Sequence, residues 1–123
     1  MKAKQQPKWH KNVEADDYEA AESYLSLIYT AKRSAKLVAA MRRAKPARFR
    51  AKDIFRASQL SSVGVSNVRV IKNRKKIKDG VPMSPILLVR DEVHGKVVVA
   101  DGYHRLCAVY EVSQDSWIPC RIV

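Results

Sequence analysis

Residues 85–110, PILLVRDEVHGKVVVADGYHRLCAVY, decide the fold. Two continuous apolar runs in this stretch, Pro85–Val89 and Val97–Ala100, have the length of strands, and Asp91–Lys96 between them has the composition of a turn. Continuous rather than alternating apolarity indicates strands that are covered on both faces. Further on, apolar residues recur at helical spacing, at Tyr103, Leu106, Cys107 and Tyr110. The stretch therefore predicts two buried strands followed by a helix.

The segments on either side of this stretch complete an α+β fold. A last strand is predicted over Trp117–Val123, where the apolar side chains alternate with other residues. Upstream, Ser66 is the predicted cap of a strongly basic helix that runs to about Lys78 and ends at Asp79-Gly80. The predicted fold class is α+β, a small mixed β-sheet with packed helices.

A basic edge strand is predicted between Pro46 and the basic helix. Period-two alternation puts Arg48, Arg50 and Lys52 on one face of this strand, and Phe49, Ala51 and Asp53 on the other. The Ser-rich stretch Arg56–Val65 that follows is predicted to be a loop.

The N-terminal region predicts a tail and two helices. Residues 1–13 are polar and basic, which is typical of a frayed tail. A helix is predicted to begin near Asp17, with Asp16 as its cap. Its apolar stripe is Tyr18, Ala21, Leu25 and Ile28, and the next apolar positions, roughly on the opposite side, are Leu37, Val38 and Met41. We therefore expect a break between Tyr29 and Ser34, with Ser34 capping the second helix.

The predicted organisation has two parts. Residues 1–45 form an N-terminal tail and helical extension, and residues 46–123 form the main domain. A chain of 123 residues and 14.0 kDa has room for one core and excludes two full catalytic domains.

The charge balance favours a polyanionic partner. The chain has 24 Lys and Arg against 12 Asp and Glu, a formal charge of +12, and much of the excess lies between Lys32 and Arg56. The alternative interpretation is a solvated face that like charge keeps soluble. The residues predicted to contact nucleic acid are Lys32, Lys36, Arg42, Arg43, Arg48 and Arg50.

Composition also indicates the cellular compartment of the protein. No apolar run approaches the roughly 20 residues that span a bilayer, and the first residues lack the apolar core of a secretory signal. Cys107 and Cys120 are too few for a disulfide scaffold and do not have metal-ligand spacing. We expect a cytoplasmic protein without a membrane partner, and the sequence leaves its oligomeric state open.

The segment Asp101–Arg105 has the composition of a phosphate-binding turn. The first backbone amides of a helix have no partner within it and carry the positive end of its dipole. Gly102 lets a phosphate approach the backbone closely, and His104 and Arg105 add side-chain donors. A carboxylate repels phosphate unless it binds Mg²⁺ or accepts a proton, so Asp101 is a candidate catalytic residue and Mg²⁺ ligand. The alternative for Asp101 is a helix cap.

The stretch from Pro85 to Tyr110, followed by WIPCRIV at the C-terminus, resembles the core of the ParB/sulfiredoxin-like fold, which includes the ParB-like nuclease domain. The resemblance covers about residues 48–123. In that family the turn binds the phosphates of ATP, ADP or CTP. The resemblance therefore implies phosphate contacts at Gly102, His104 and Arg105. Together with Asp101 as the candidate Mg²⁺ ligand, it predicts Mg²⁺ with ATP, ADP or CTP as the cofactor.

The chain also departs from the family pattern. Tyr103 occupies the position of the sulfiredoxin catalytic cysteine and of the glutamate that serves CTP hydrolysis in ParB proteins. Asp101-Gly102 is similar to the Asp-Gly-His form of the turn in the free-serine kinases of this fold, whose acid serves catalysis. Asp53 is the candidate for the second catalytic carboxylate of those kinases.

Two classes of function remain open. The first hypothesis is a nucleotide-phosphate-binding protein, with Mg²⁺-dependent hydrolysis or phosphotransfer at the turn. The alternative is a non-catalytic module that binds DNA or RNA through its basic helices, or a ParB-like nuclease. The sequence leaves open whether the protein is an enzyme.

Overall fold

The computed structural model describes residues 6–61 and 67–123. Five helices and four strands lie in the described ranges, in the order α1 (Ala15–Leu25), α2 (Ala31–Arg43), β1 (Ala47–Arg50), α3 (Ala51–Ser58), α4 (Val68–Asp79), β2 (Ile86–Asp91), β3 (Lys96–Asp101), α5 (Tyr103–Val112) and β4 (Trp117–Ile122). The strands form one mixed sheet with helices packed against it, so the predicted α+β class is confirmed.

The sheet has the strand order β1-β4-β2-β3. Strand β2 forms a hairpin with β3, and the chain then crosses through α5 to β4, which lies parallel to β2. Strand β1 pairs antiparallel with β4 and is the outermost strand on that side, as predicted.

The predicted basic strand is shorter than expected. It ends at Arg50, and helix α3 begins at Ala51, so Lys52 and Asp53 lie in the first turn of a helix rather than in a strand. The residues that α3 buries recur with helical period: Ala51, Ile54, Phe55 and Ser58. This spacing favours a helix rather than a strand after residue 50. The predicted loop over Arg56–Val65 is therefore wrong at its start, and residues 62–65 lie outside the described residues.

The sheet is covered on both faces, which explains the continuous apolar runs. Ile86 and Leu88 of β2 belong to a core that α3, α4 and α5 complete, whereas Leu87 and Val89 belong to a second core. Helices α1 and α2 complete that second core, with Leu25 and other apolar side chains. Because successive strand residues point to opposite faces, each residue of the run enters one core or the other.

The N-terminal tail is ordered where the structure describes it. The Met83 amide donates to the Lys8 carbonyl at 2.9 Å, and the His10 amide donates to the Met83 carbonyl at 2.8 Å. Trp9 packs against the core that contains α3, α4 and α5. The predicted frayed tail is therefore wrong for residues 8–10, because a large apolar ring anchors them, whereas residues 1–5 lie outside the described residues.

The break between α1 and α2 exists but lies earlier than expected, over residues 26–30. Thr30 caps α2, since its hydroxyl accepts from the Arg33 amide at 3.2 Å. Ser34 is not the cap: it is buried inside α2. Glu14 precedes α1 without a side-chain cap bond, so the predicted Asp16 cap is also wrong.

The end of helix α4 agrees with the sequence prediction more closely. Helix α4 ends at Asp79, and Gly80 follows in the left-handed conformation with φ 71°, as predicted. Asn67 caps the start of α4, and the predicted cap Ser66 lies outside the described residues. None of the described helices combines the length and apolar composition that a bilayer crossing requires.

Paired substitutions in α2 distinguish the observed cap from the one that the sequence predicts. Thr30→Ala should lower the free energy of unfolding by about 1 kcal/mol, because an amide loses its cap. Ser34→Ala should leave stability unchanged or raise it, because the buried Ser34 hydroxyl has no hydrogen-bond partner among the described residues. Urea titration measures both changes, and a greater loss in Ser34→Ala would contradict the observed capping.

Candidate anion-binding site

The turn between β3 and α5 is built around Gly102. Its backbone has φ 103° and ψ 16°, a conformation that favours glycine. A Cβ added to Gly102 would lie 2.8 Å from Ile86 Cγ1 and 2.9 Å from Arg105 Nη2. The space over Gly102 is therefore filled by the protein's own side chains, and a phosphate predicted at this spot would have to approach from another side.

Arg105 makes the contacts that fill this space. Its Nη2 donates to Asp101 Oδ2 at 3.1 Å, to Asp17 Oδ2 at 3.2 Å and to the Pro85 carbonyl at 3.4 Å. Its side chain is 16% exposed. These bonds tie α1 and the beginning of β2 to the turn. A phosphate would compete with two carboxylates for this guanidinium, so the phosphate contact predicted at Arg105 is already occupied within the protein.

Asp101 is held in the same cluster. Burial and the neighbouring Asp17 carboxylate raise its pKa above the ordinary 3.8, against the opposing effect of Arg105. It does not cap α5, because Gly102 occupies the cap position and no side chain of the described residues bonds the first amides there. The alternative prediction of a cap is therefore wrong.

These carboxylates do not fit a Mg²⁺ site. The Arg105 guanidinium already lies between Asp101 and Asp17, where a shared cation would have to bind. Asp53 lines a different hollow together with Phe49 and Arg90, and its ion-pair partner is Arg56, at 3.6 Å. In residues 6–61 and 67–123, no three His, Cys, Asp or Glu side chains are grouped so that they could hold a metal.

A basic hollow of about 290 Å³ lies beside the turn. Helix α4, which packs against α5, contributes Arg69, Lys72 and Lys76 to its wall, and residues 101–105 form the other side. These cations recur at i, i+3 and i+7, so they share one face of α4. None of them forms an ion pair with a carboxylate of the described chain.

Two cations on another side of α4 have carboxylate partners. Arg74 pairs with Glu111 at 3.3 Å, and Lys75 pairs with Asp79 at 3.1 Å. They line a separate hollow of about 550 Å³ near the ends of α4 and α5. Of the four α4 cations without a carboxylate partner among the described residues, three lie beside the first turn of α5, and the fourth, Lys78, lines the separate hollow.

His104 lies between the basic hollow and a second hollow. Burial and the nearby Arg69 charge lower its pKa from 6.5, so its imidazole is neutral at pH 7. The second hollow has a volume of about 380 Å³ and includes Tyr24, Leu60 and Tyr103 in its lining. The Tyr103 hydroxyl donates to the Ser61 carbonyl, so this ring borders the hollow rather than being fully buried in the core.

The structure separates the predicted nucleic-acid residues from this site. Lys32, Lys36 and Arg43 are exposed on α2. The Arg42 guanidinium lies 4.4 Å from the centre of the Tyr18 ring, and Arg48 and Arg50 both lie over Trp117. Helix α2 covers the opposite face of the sheet from α4 and α5.

Sequence reasoning found the turn but missed the cations that face it. Arg69, Lys72 and Lys76 were visible only as part of a generally basic helix. Their i, i+3, i+7 spacing was the available signal, but the packing of α4 on α5 is tertiary information.

Comparison with protein-family models, with curated proteins and with solved structures finds no match to this chain. The resemblance to the ParB/sulfiredoxin-like core therefore stays a prediction from the quoted residues.

Substitution of two glycines tests how closely the turn is packed. Gly102→Ala should lower the free energy of unfolding by about 2–4 kcal/mol, because the positive φ is strained and the new Cβ displaces Ile86 and Arg105. Gly95→Ala is the control: its φ is 63°, but no atom of the described residues lies within 4 Å of the added Cβ, so it should cost only about 1 kcal/mol. Equal losses in denaturant titrations would contradict the packing over Gly102.

The raised pKa of Asp101 predicts the pH dependence of a variant. A carboxyl whose folded pKa is raised contributes stability at low pH and loses that contribution as pH rises from about 3.8 through the folded value. Asp101→Asn should therefore be at least as stable as wild type at pH 7, with any advantage shrinking towards pH 4. Thermal melts across this range measure the difference.

Asp115→Asn is the control with the opposite sign. Its hydrogen bond from Lys52 lowers the pKa of Asp115, so this variant should lose stability at pH 7 and approach wild type in acid. The same pH trend in both variants would contradict the environment assigned to Asp101.

Proposed function

We propose that this protein binds the phosphates of a nucleoside di- or triphosphate in the basic hollow between α4 and the first turn of α5. One observation carries the proposal: Arg69, Lys72 and Lys76 line this hollow, and no carboxylate of the described chain pairs with them. Three like charges on one helix face repel one another, and an anion between them and the turn would remove that repulsion.

The backbone of the turn adds to the attraction. The first bond within α5 is made by the Leu106 amide, which donates to the Gly102 carbonyl at 2.9 Å. The amides of His104 and Arg105 precede it and have no partner within the helix. They carry the positive end of the helix dipole, and Gly102 has no side chain to cap them. Neutral His104 adds a ring N–H that can donate to a phosphate oxygen.

The second hollow favours a nucleoside rather than free phosphate. It shares the turn residues Gly102, Tyr103 and His104 with the basic hollow, and it adds apolar and aromatic surface from Tyr24 and Leu60. A ligand with phosphates in one hollow can place an apolar or aromatic group in the other. The resemblance to ParB/sulfiredoxin-like proteins supports the same ligand class.

The proposal is for binding and includes no chemical step. Asp101 is engaged by Arg105, and Asp53 borders a different hollow. The described residues therefore provide no pair of carboxylates at the basic hollow for Mg²⁺-dependent hydrolysis or phosphotransfer.

Calorimetric titration of ATP, ADP, CTP and GTP, with and without Mg²⁺, tests the proposal. At least one nucleotide should bind, and Lys72→Gln and Lys76→Gln should each weaken it by about tenfold, the scale of one charged contact. Lys75→Gln is the matched control, because it removes the same charge from the same helix at a residue already paired with Asp79.

Two outcomes would contradict the proposed site. One is the absence of binding by every nucleotide at millimolar concentration. The other is an equal loss of affinity in Lys75→Gln and Lys72→Gln, which would indicate a diffuse response to net charge rather than binding in the basic hollow.

A further inference from the structure

A second cationic cluster lies at the open edge of the sheet, around Trp117. The Arg48 and Arg50 guanidinium carbons lie 4.6 Å and 4.2 Å from the centre of the Trp117 ring. Arg50 is the cross-strand partner of Trp117, and its Nη1 also donates to the Asp115 carbonyl at 2.8 Å. The ring and the strand pairing thus hold two guanidinium groups close together on one short strand.

This edge cluster (Arg48, Arg50 and Trp117) is accessible, and neither of its cations forms an ion pair with a carboxylate of the described chain. Strand β1 is the outermost strand of the sheet, and Trp117 of β4, which pairs with β1, is 43% exposed. The nearby Asp115 carboxylate pairs with Lys52 at 2.7 Å, and the Arg50 charge contributes to the lowered pKa of Asp115.

The edge cluster is separate from the basic hollow. Phe49 of β1 packs into the core with α3, α4 and α5, so alternation along the strand directs Arg48 and Arg50 to the opposite face. The exposed cations of α2 lie on that same side of the sheet. The two sites share no residue, so either can fail without the other.

We propose that the edge cluster binds single-stranded nucleic acid. Arginine presents a planar fork that pairs with phosphate oxygens, and a guanidinium plane that an aromatic ring supports stacks on bases without regard to sequence. Such stacking needs bases whose faces are free, and a duplex has already stacked them. The surface is charged rather than membrane-like, since Trp117 is the only exposed large apolar residue of β1 and β4.

Fluorescence anisotropy of a labelled 15-nucleotide oligo(dT) with the full chain tests the proposal over 50–200 mM NaCl. Trp117→Thr should weaken binding by about fivefold or more, the scale of one lost base stack, and leave the salt slope unchanged. Arg48→Gln should weaken binding and reduce that slope by about 0.7, the value for one phosphate contact to a single strand. Arg50→Gln should do the same.

Two further variants separate the proposed role from lost folding and from net charge. Trp117→Phe keeps an aromatic ring on the strand and should retain most of the affinity. Lys78→Gln removes one exposed cation of α4, far from the edge cluster in the fold, and should bind like wild type. A thermal melt of Trp117→Thr checks that the variant is folded.

The proposal is overturned if Trp117→Thr binds oligo(dT) like wild type, or if a duplex of the same length binds equally well with no effect of Trp117. It is also overturned if phosphatidylserine vesicles bind through Trp117 while oligo(dT) does not. If oligo(dT) binds as expected but no nucleotide binds in calorimetry, this proposal stands and the proposed nucleotide site is wrong.

Discussion

The Arg105 guanidinium, shared by two carboxylates and a carbonyl, fixes the geometry on which the candidate site depends. Through Asp17 it holds α1 against the turn, and through Pro85 it reaches the beginning of β2. It also fills the space above Gly102, where only a glycine fits. Because this cation is neutralised inside the protein, the charge available to a ligand comes from the neighbouring helix α4.

The cations of helix α4 line two separate hollows, one on each side of its contact with α5. Arg74 and Lys75 have carboxylate partners, whereas Lys72 and Lys76 have none in the described part of the chain. Ion pairs at an exposed surface contribute little to stability, so the contrast matters for the local potential rather than for folding. The unpaired Lys72 and Lys76 lie where the backbone of the α5 first turn also attracts anions.

The sequence predicted the C-terminal half of the fold well, because its signals are local. The apolar runs that became β2 and β3 are long and continuous, and Gly80 ends α4 as its position indicates. The boundary between β1 and α3 was missed because Arg48, Arg50 and Lys52 alternate as in a strand, while the helical burial of Ile54 is tertiary. The Trp9 anchor was missed because its partner Met83 is remote in sequence.

The sequence predicted only the part of the candidate site that depends on local signals. The turn at Gly102 is a local pattern, and the structure retains it as the junction of β3 and α5. The partners of Arg105 could not be predicted, since Asp17 lies 88 residues away along the chain. The edge cluster could not be predicted either, because strand pairing brings it together from two distant segments.

Backbone amide chemical shifts recorded while tripolyphosphate is added to ¹⁵N-labelled protein test the central claim most directly. The account predicts saturable shifts at His104 and Arg105 together with residues of α4 near Lys72, and little change at Glu111. Shifts centred on Glu111 and Lys75, or no saturable shift at millimolar concentration, would contradict an anion site at the first turn of α5.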